Sequence, residues 1–191
     1  MLFRTITTTL SALSTTALSL PTPSSSPDTI NLSLPSNGRA VEQGIYNIDR
    51  ETRTLNTAVL AYTPTSSIDP ILHGWAEIDR VNRIAYDAAK TSGAFTQPES
   101  AAIATAVTRS VGVSIPVLVA NVKAKKAEFR AAGYDNSILS ALNLILFDHD
   151  SFSAATGLRL TVDALPEAGA GAVEVDLAWR DGVAFYADSA A

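Results

Sequence analysis

The sequence predicts an all-α fold, an antiparallel bundle of about five helices, on three observations. Apolar residues recur every three or four positions over long stretches, glycines and prolines fall between those stretches, and no segment reads as a strand. With 191 residues, 47% of them apolar, the chain holds one domain with a proper core and is too short for two comfortable ones.

The first residues bear on compartment. Met1 to Arg4 begin the chain with positive charge, no acid occurs from Leu2 to Leu20, and Ala17-Leu18-Ser19 offers a small-x-small cleavage pattern. Residues 1–19 are therefore read as a signal peptide, making the protein secreted, extracellular or wall-bound. Thr7, Thr8, Thr9, Ser11, Ser14, Thr15 and Thr16 dilute its apolar run, which also suits a mitochondrial transit peptide. Residues 20–38 form a Ser/Pro-rich leader expected to be disordered, since three prolines within seven residues cannot sit in a helix interior. Asn31-Leu32-Ser33 makes Asn31 a glycosylation acceptor if the chain is exported. The helical domain is placed at 39–191. No stretch reaches the roughly 20 uninterrupted apolar residues of a membrane span.

The first helix carries Val41, Ile45, Ile48, Thr52, Leu55, Val59 and Tyr62 on one face and ends at Pro64. The second begins at Asp69-Pro70, with Asp69 as N-cap, and presents Ile71, Trp75, Ile78, Asn82, Ala85 and Ala89 before Gly93. Thr96 or Gln97 caps the third, which is apolar nearly all round from 101 to 122 and so expects cover on several sides. Pro116 lies inside it and predicts a kink nearby. Lys123, Lys125, Lys126 and Arg130 gather before Gly133, where they complement the helix dipole. The fourth helix, from about Asp135 to Thr156, aligns Ile138, Leu142, Ile145, His149 and Phe152. The last follows Leu165-Pro166-Glu167 and is read as burying Val173, Leu177 and Ala184, with Trp179 and Phe185. Gly169 and Gly171 weaken its first turns by about 1 kcal/mol each. Close approach to a neighbour, room for a ligand, or a frayed end would each account for them.

Chemistry finds little purchase. A net charge of −5 gives no attraction to nucleic acid. Without cysteine there is no disulfide, thiol nucleophile or thiolate metal site. His73 and His149 each stand without a second histidine on the same face, so no metal site is expected. Asp148, His149 and Asp150 point about 100° apart on a helix and do not converge. Neither a phosphate-binding glycine loop nor a Gly-x-Ser-x-Gly turn is present. The expectation is a protein that is not an enzyme and uses no cofactor.

From about Val41 to Ser189 the chain resembles the fungal hydrophobic surface binding protein A family, also called cell wall galactomannoproteins. The resemblance rests on Ile48 to Thr52 leading into Leu55 to Tyr62, on Leu118 to Gly133 with Lys125-Lys126, Phe129 and Ala132-Gly133, and on Asp163-Ala164-Leu165-Pro166. It covers about four fifths of the chain. Gly169, Gly171 and the aromatic-rich Trp179 to Tyr186 depart from the family's usual last helix. The resemblance implies a secreted or wall-associated protein that adsorbs to hydrophobic surfaces and holds fatty acids or other apolar ligands in a helical tunnel. The expected apolar lining is Ile45, Ile48, Leu55, Trp75, Ile78, Leu142, Ile145 and Leu177, with Gln43, Asn82 or Asn143 as polar groups near a mouth. A structural wall mannoprotein without ligand and an organellar helical protein are the alternatives.

Overall fold

The computed structural model describes residues 34–187. The signal segment, most of the leader and Asn31 lie outside the described residues. Helices are α1 (Gly38–Ala61), α2 (Asp69–Lys90), α3 (Gln97–Ala124), α4 (Lys126–Ala131), α5 (Asp135–Gly157) and α6 (Leu165–Ala187). Among the described residues there is no strand. Five long rods form the antiparallel bundle, and the short α4 turns the chain from α3 to α5. Contacts run from α1 to α2 and α3, from α2 to α5, and from α6 to both α3 and α5.

The first two helices form where their stripes require. Val41, Ile45, Ile48, Leu55 and Val59 of α1 meet Ile71, Trp75, Ile78 and Ala85 of α2, all buried. Gly44 lets the pair cross closely, because a Cβ there would lie 2.5 Å from that of Ala85. Residues at the end of the leader are already fixed to the domain. The Asn37 amide donates to Ser92 Oγ at 2.8 Å, and Ser36 Oγ donates to Glu99 Oε2 at 2.7 Å. Glu99 also accepts from the Thr96 amide at 2.8 Å, completing the capping box that starts α3.

α3 has the length and apolarity of a membrane span, and over half of its most apolar window is buried, within the bundle. Pro116 sits within its α-helical second half, so the helix runs through it. The departure from α geometry lies about one turn upstream, as a π turn over Val107–Val111. Thr108 and Ser110 hydroxyls donate back to the Ala104 and Ala106 carbonyls across this widened turn. The helix breaks at Lys125, and Gly133 (φ 79°) takes the left-handed position ahead of α5.

In α6 the buried face differs from the one expected. Ala168, Gly171, Val175, Trp179, Gly182 and Tyr186 face inward, whereas Val173 and Leu177 are 56% and 60% exposed. Leu177 therefore does not line the interior. Both stripes repeat at helical spacing, and the one holding the two large aromatics buries more surface per residue. Arg159, in the connection from α5 to α6, is buried and donates to the Ser92, Ala155 and Lys90 carbonyls, tying the ends of α2 and α5 together.

Candidate apolar binding site

A cavity of about 130 Å³ occupies the half of the bundle near the α5–α6 connection. Its walls are Ile45 and Ile48 of α1, Ile78 and Asn82 of α2, Ile103, Val107, Val111 and Ile115 of α3, Ile145 and Phe152 of α5, and Val175 of α6. The π turn contributes Val107 and Val111, so the widened part of α3 forms wall. Trp179 closes the inner end, with Trp75 behind it at a ring separation of 6.1 Å.

The exposure of the lining residues locates the opening. Leu165 and Gly169 are exposed, and Ser153, Gly157 and Ala172 half-buried, whereas most of the remaining walls are buried. The mouth thus lies between the end of α5 and the start of α6. A Cβ built on Gly157 or on Gly169 would meet nothing within 4 Å. Two residues further on, a Cβ on Gly171 would lie 2.8 Å from Val107 Cγ1 and 3.0 Å from Thr108 Cγ2. The helices are therefore tight at Gly171 and open at Gly169.

Few polar groups reach the cavity. His149 is bonded to the Ala172 carbonyl and lies 3.4 Å from Ser153 Oγ. Burial lowers its pKa, although Asp150 and Asp176 oppose that shift, and the ring bridges α5 to α6 as a neutral group. Ligand atoms of His149, Asp150 and Asp176 come within 4.8 Å of one another. Arg180 already holds Asp176 at 2.8 Å and approaches Asp150 at 3.4 Å, so a guanidinium stands where a cation would. Asn82 and Thr156 also line the cavity and are buried, only 3% and 6% exposed. On the α2–α5 seam, burial and the hydrogen bond with Asp79 push the Asp148 carboxyl up to about 7.

The family model for hydrophobic surface binding protein A matches residues 38–157. The chain belongs to the hydrophobic surface binding protein A family. The match covers α1 to α5, so α6, with its Trp179 floor and Gly169 edge, lies beyond it. No curated protein matches the sequence. Among solved structures, the chain is similar to ligand binding domain 1 of the Penicillium marneffei MP1 protein, complexed with arachidonic acids, at 17% identity and TM-score 0.73. That alignment covers 78% of this chain and 98% of the other. It is similar also to Afmp4p in complex with palmitic acid, at 20% identity, TM-score 0.72, and 78% and 99% coverage. Domain 2 of MP1, complexed with multiple arachidonic acids, aligns at 13% identity and TM-score 0.72, over 78% of this chain and 95% of that one. These likenesses show a common fold.

Within this family member, Ile45, Ile48, Ile78 and Ile145 come together on the cavity wall. Leu55 and Leu142 are wholly buried but belong to the filled half of the core, and Trp75 stands behind Trp179 without lining the space. Leu177 faces solvent. Of the polar candidates, Asn82 lines the cavity, while Gln43 and Asn143 are exposed. Sequence reasoning missed Ile103, Val107, Val111, Thr156 and the mouth glycine Gly157 as lining. Gly169 carried the one usable signal, an uncompensated glycine in a helix.

Proposed function

We propose that this protein is a secreted or wall-associated carrier that holds a fatty acid or similar apolar chain in the cavity between α3, α5 and α6. The carrying observation is an apolar space that is closed by Trp179 at one end and open between Gly157 and Gly169 at the other. Such a space stays unfavourable to water and takes an alkyl chain readily. Membership of a family named for hydrophobic surface binding supports the reading, as do three neighbours solved with arachidonic or palmitic acid. Leu158, Val162 and Leu165 add an exposed apolar rim in the connection beside the mouth, suited to resting on a hydrophobic surface. The lining calls for no catalytic step, and the ligand is bound and released unchanged. The export signal at residues 1–19 and a glycan at Asn31 belong to the same proposal.

Native mass spectrometry of the secreted protein, followed by titration of delipidated protein with palmitic acid, tests the reading. Co-purified lipid or saturable uptake is expected. Absence of both rejects the carrier and leaves a wall protein with a structural role.

A further inference from the structure

Exposed aliphatic side chains gather in two places outside the core, and one of them is continuous with the cavity. The first is the outer side of α3 and α6, where Val113, Val117, Val173 and Leu177 are exposed. None of these four lines the cavity, and the groove between the two helices is bordered by Glu174 and by the Lys123–Asp181 ion pair at 2.6 Å. The second is the connection at the mouth, where Leu158 is 55% exposed, Val162 80% and Leu165 41%. Leu165 belongs both to this surface and to the cavity lining, so one side chain joins the inner apolar surface to the outer one. Val162 lies in the same turn, its carbonyl accepting from the Leu165 amide at 3.4 Å. Leu158 follows Gly157, which lines the opening from the end of α5.

This connection is anchored from beneath. The buried Arg159 holds the Ser92, Ala155 and Lys90 carbonyls, and its own carbonyl accepts from the Phe95 amide at 2.8 Å. A segment fixed in this way presents its aliphatic side chains to solvent as a standing surface, and such a surface beside a binding cleft marks a contact site.

Charge narrows the partner. From Leu158 to Glu167 the cationic residue is Arg159, whose guanidinium is committed to those carbonyls, whereas Asp163 and Glu167 are exposed. An anionic headgroup would meet two carboxylates there, while an uncharged or zwitterionic lipid surface meets aliphatic side chains without that repulsion. The cargo supplies the reason for contact. A long chain leaving the cavity for water exposes each methylene in turn, and the cost grows with its length. With the mouth seated on lipid, the chain passes from one apolar phase to another across Leu165.

Resting on the carrier reading above, we infer that the mouth docks on a lipid surface of no net charge through Leu158, Val162 and Leu165, and that ligand moves between cavity and lipid during that contact and not through water.

The test loads the secreted protein with a fluorescent palmitic acid derivative and mixes it in stopped flow with phosphatidylcholine vesicles carrying a quencher. The transfer rate is expected to rise in proportion to vesicle concentration, because collision sets it. The Leu158→Asp, Val162→Asp double variant should slow transfer about tenfold by placing two charges on the docking face, with its melting temperature and its affinity for the probe unchanged. The uncharged Leu158→Ser, Val162→Ser pair should fall between it and the wild type. Leu177→Asp, on the outer side of α6, should transfer at the wild-type rate. A rate independent of vesicle concentration, with the probe still bound, overturns contact transfer and leaves the carrier intact. Slowing by Leu177→Asp and not by either double variant overturns the choice of face. Faster transfer to phosphatidylglycerol vesicles than to phosphatidylcholine overturns the choice of lipid. Failure of the wild type to bind the probe overturns the carrier reading and this inference together.

Discussion

The two ends of this bundle are built from the same helices and differ in what fills them. At the end near the α1–α2 and α3–α5 turns, Tyr62 stacks on Phe129 with ring centroids 4.8 Å apart, and Tyr186 donates to the Val122 carbonyl at 2.8 Å. Leu55, Leu118, Ile138 and Leu142 pack around them, all fully buried. At the other end the facing side chains are mostly isoleucine, valine, alanine and glycine, with Phe152 among them and Trp179 only at the inner end, and a space remains. Branched aliphatics from four or five helices cannot reach across a gap that a ring would span. Trp179 and Trp75 mark the border between the two. Hollowness here follows from the size of the residues facing inward, not from a change of fold.

The most forceful way to break that comparison is to hollow the solid end. Phe129→Ala should cost about 3–5 kcal/mol, read from urea unfolding, with no gain in fatty-acid uptake. Ile103→Ala, also fully buried, removes a side chain that already faces empty space on one side and has fewer contacts to lose. Its cost should fall near the lower end of the roughly 2–5 kcal/mol range for such truncations. Equal costs at the two positions would mean that the hollow end collapses in solution.

Next in size is the tight glycine of α6. Gly171→Ala places a Cβ against Val107 and Thr108, including the Thr108 Cα at 3.3 Å, where the backbone of the π turn must give way. A loss of about 1–3 kcal/mol is expected from overpacking, outweighing the gain in helix propensity. A melting temperature at or above wild type would show that α3 and α6 separate easily there.

The α2–α5 seam beside the hollow end should respond to pH. Asp148 is raised from 3.8 to about 7 by burial and by Asp79, with Arg83 at 3.7 Å opposing. The folded chain therefore holds a proton that the unfolded chain releases above pH about 4. That contribution is fully present below the unfolded value and is lost as pH rises through about 7. Burial pushes Asp79 up too, but its hydrogen bonds with Asp148 and Arg83 prevail and hold it low, so its contribution is lost only on acidification. The unfolding free energy of the wild type relative to Asp148→Asn should decline from pH about 4 to about 7, a difference from which the opposite contribution of His149, whose pKa burial lowers, cancels. A rise of that difference over the interval would contradict the shared proton.

How much of this was legible in the sequence follows the same division. α1 and α2 carry one apolar stripe each, and Ile45, Ile48 and Ile78 were identifiable because a wrong rotation would expose them. α6 offers two stripes, and Val173-Leu177 competes with Val175-Trp179 until the neighbours that take the tryptophan are known. The cavity itself has no residue signature. Ile103 lines it and Leu118 fills the core with the same chemistry, and only the distance to the opposite helix separates them. Asn82 could be placed on an inward face and Thr156 was not, and the lack of a partner at either is a property of the assembled fold. Pro116 announced irregularity in α3, while its location depended on where the packing could accept a wider turn.

The smallest expected effect sharpens the comparison most. Gly169 lies two residues from Gly171, in the same helix, and a Cβ on it meets nothing within 4 Å. An alanine there gains helix propensity without a clash, so Gly169→Ala should raise stability by about 0.5–1 kcal/mol, measured as an increase in melting temperature. Gly169 lines the opening together with Gly157 and Leu165, so a larger side chain there adds bulk at the mouth. Gly169→Phe should therefore fold at least as stably as the wild type yet take up palmitic acid more slowly in stopped-flow mixing, with Gly169→Ala in between. Should the phenylalanine variant load at the wild-type rate, ligand enters elsewhere, and the gap between α5 and α6 is a packing defect and not a door.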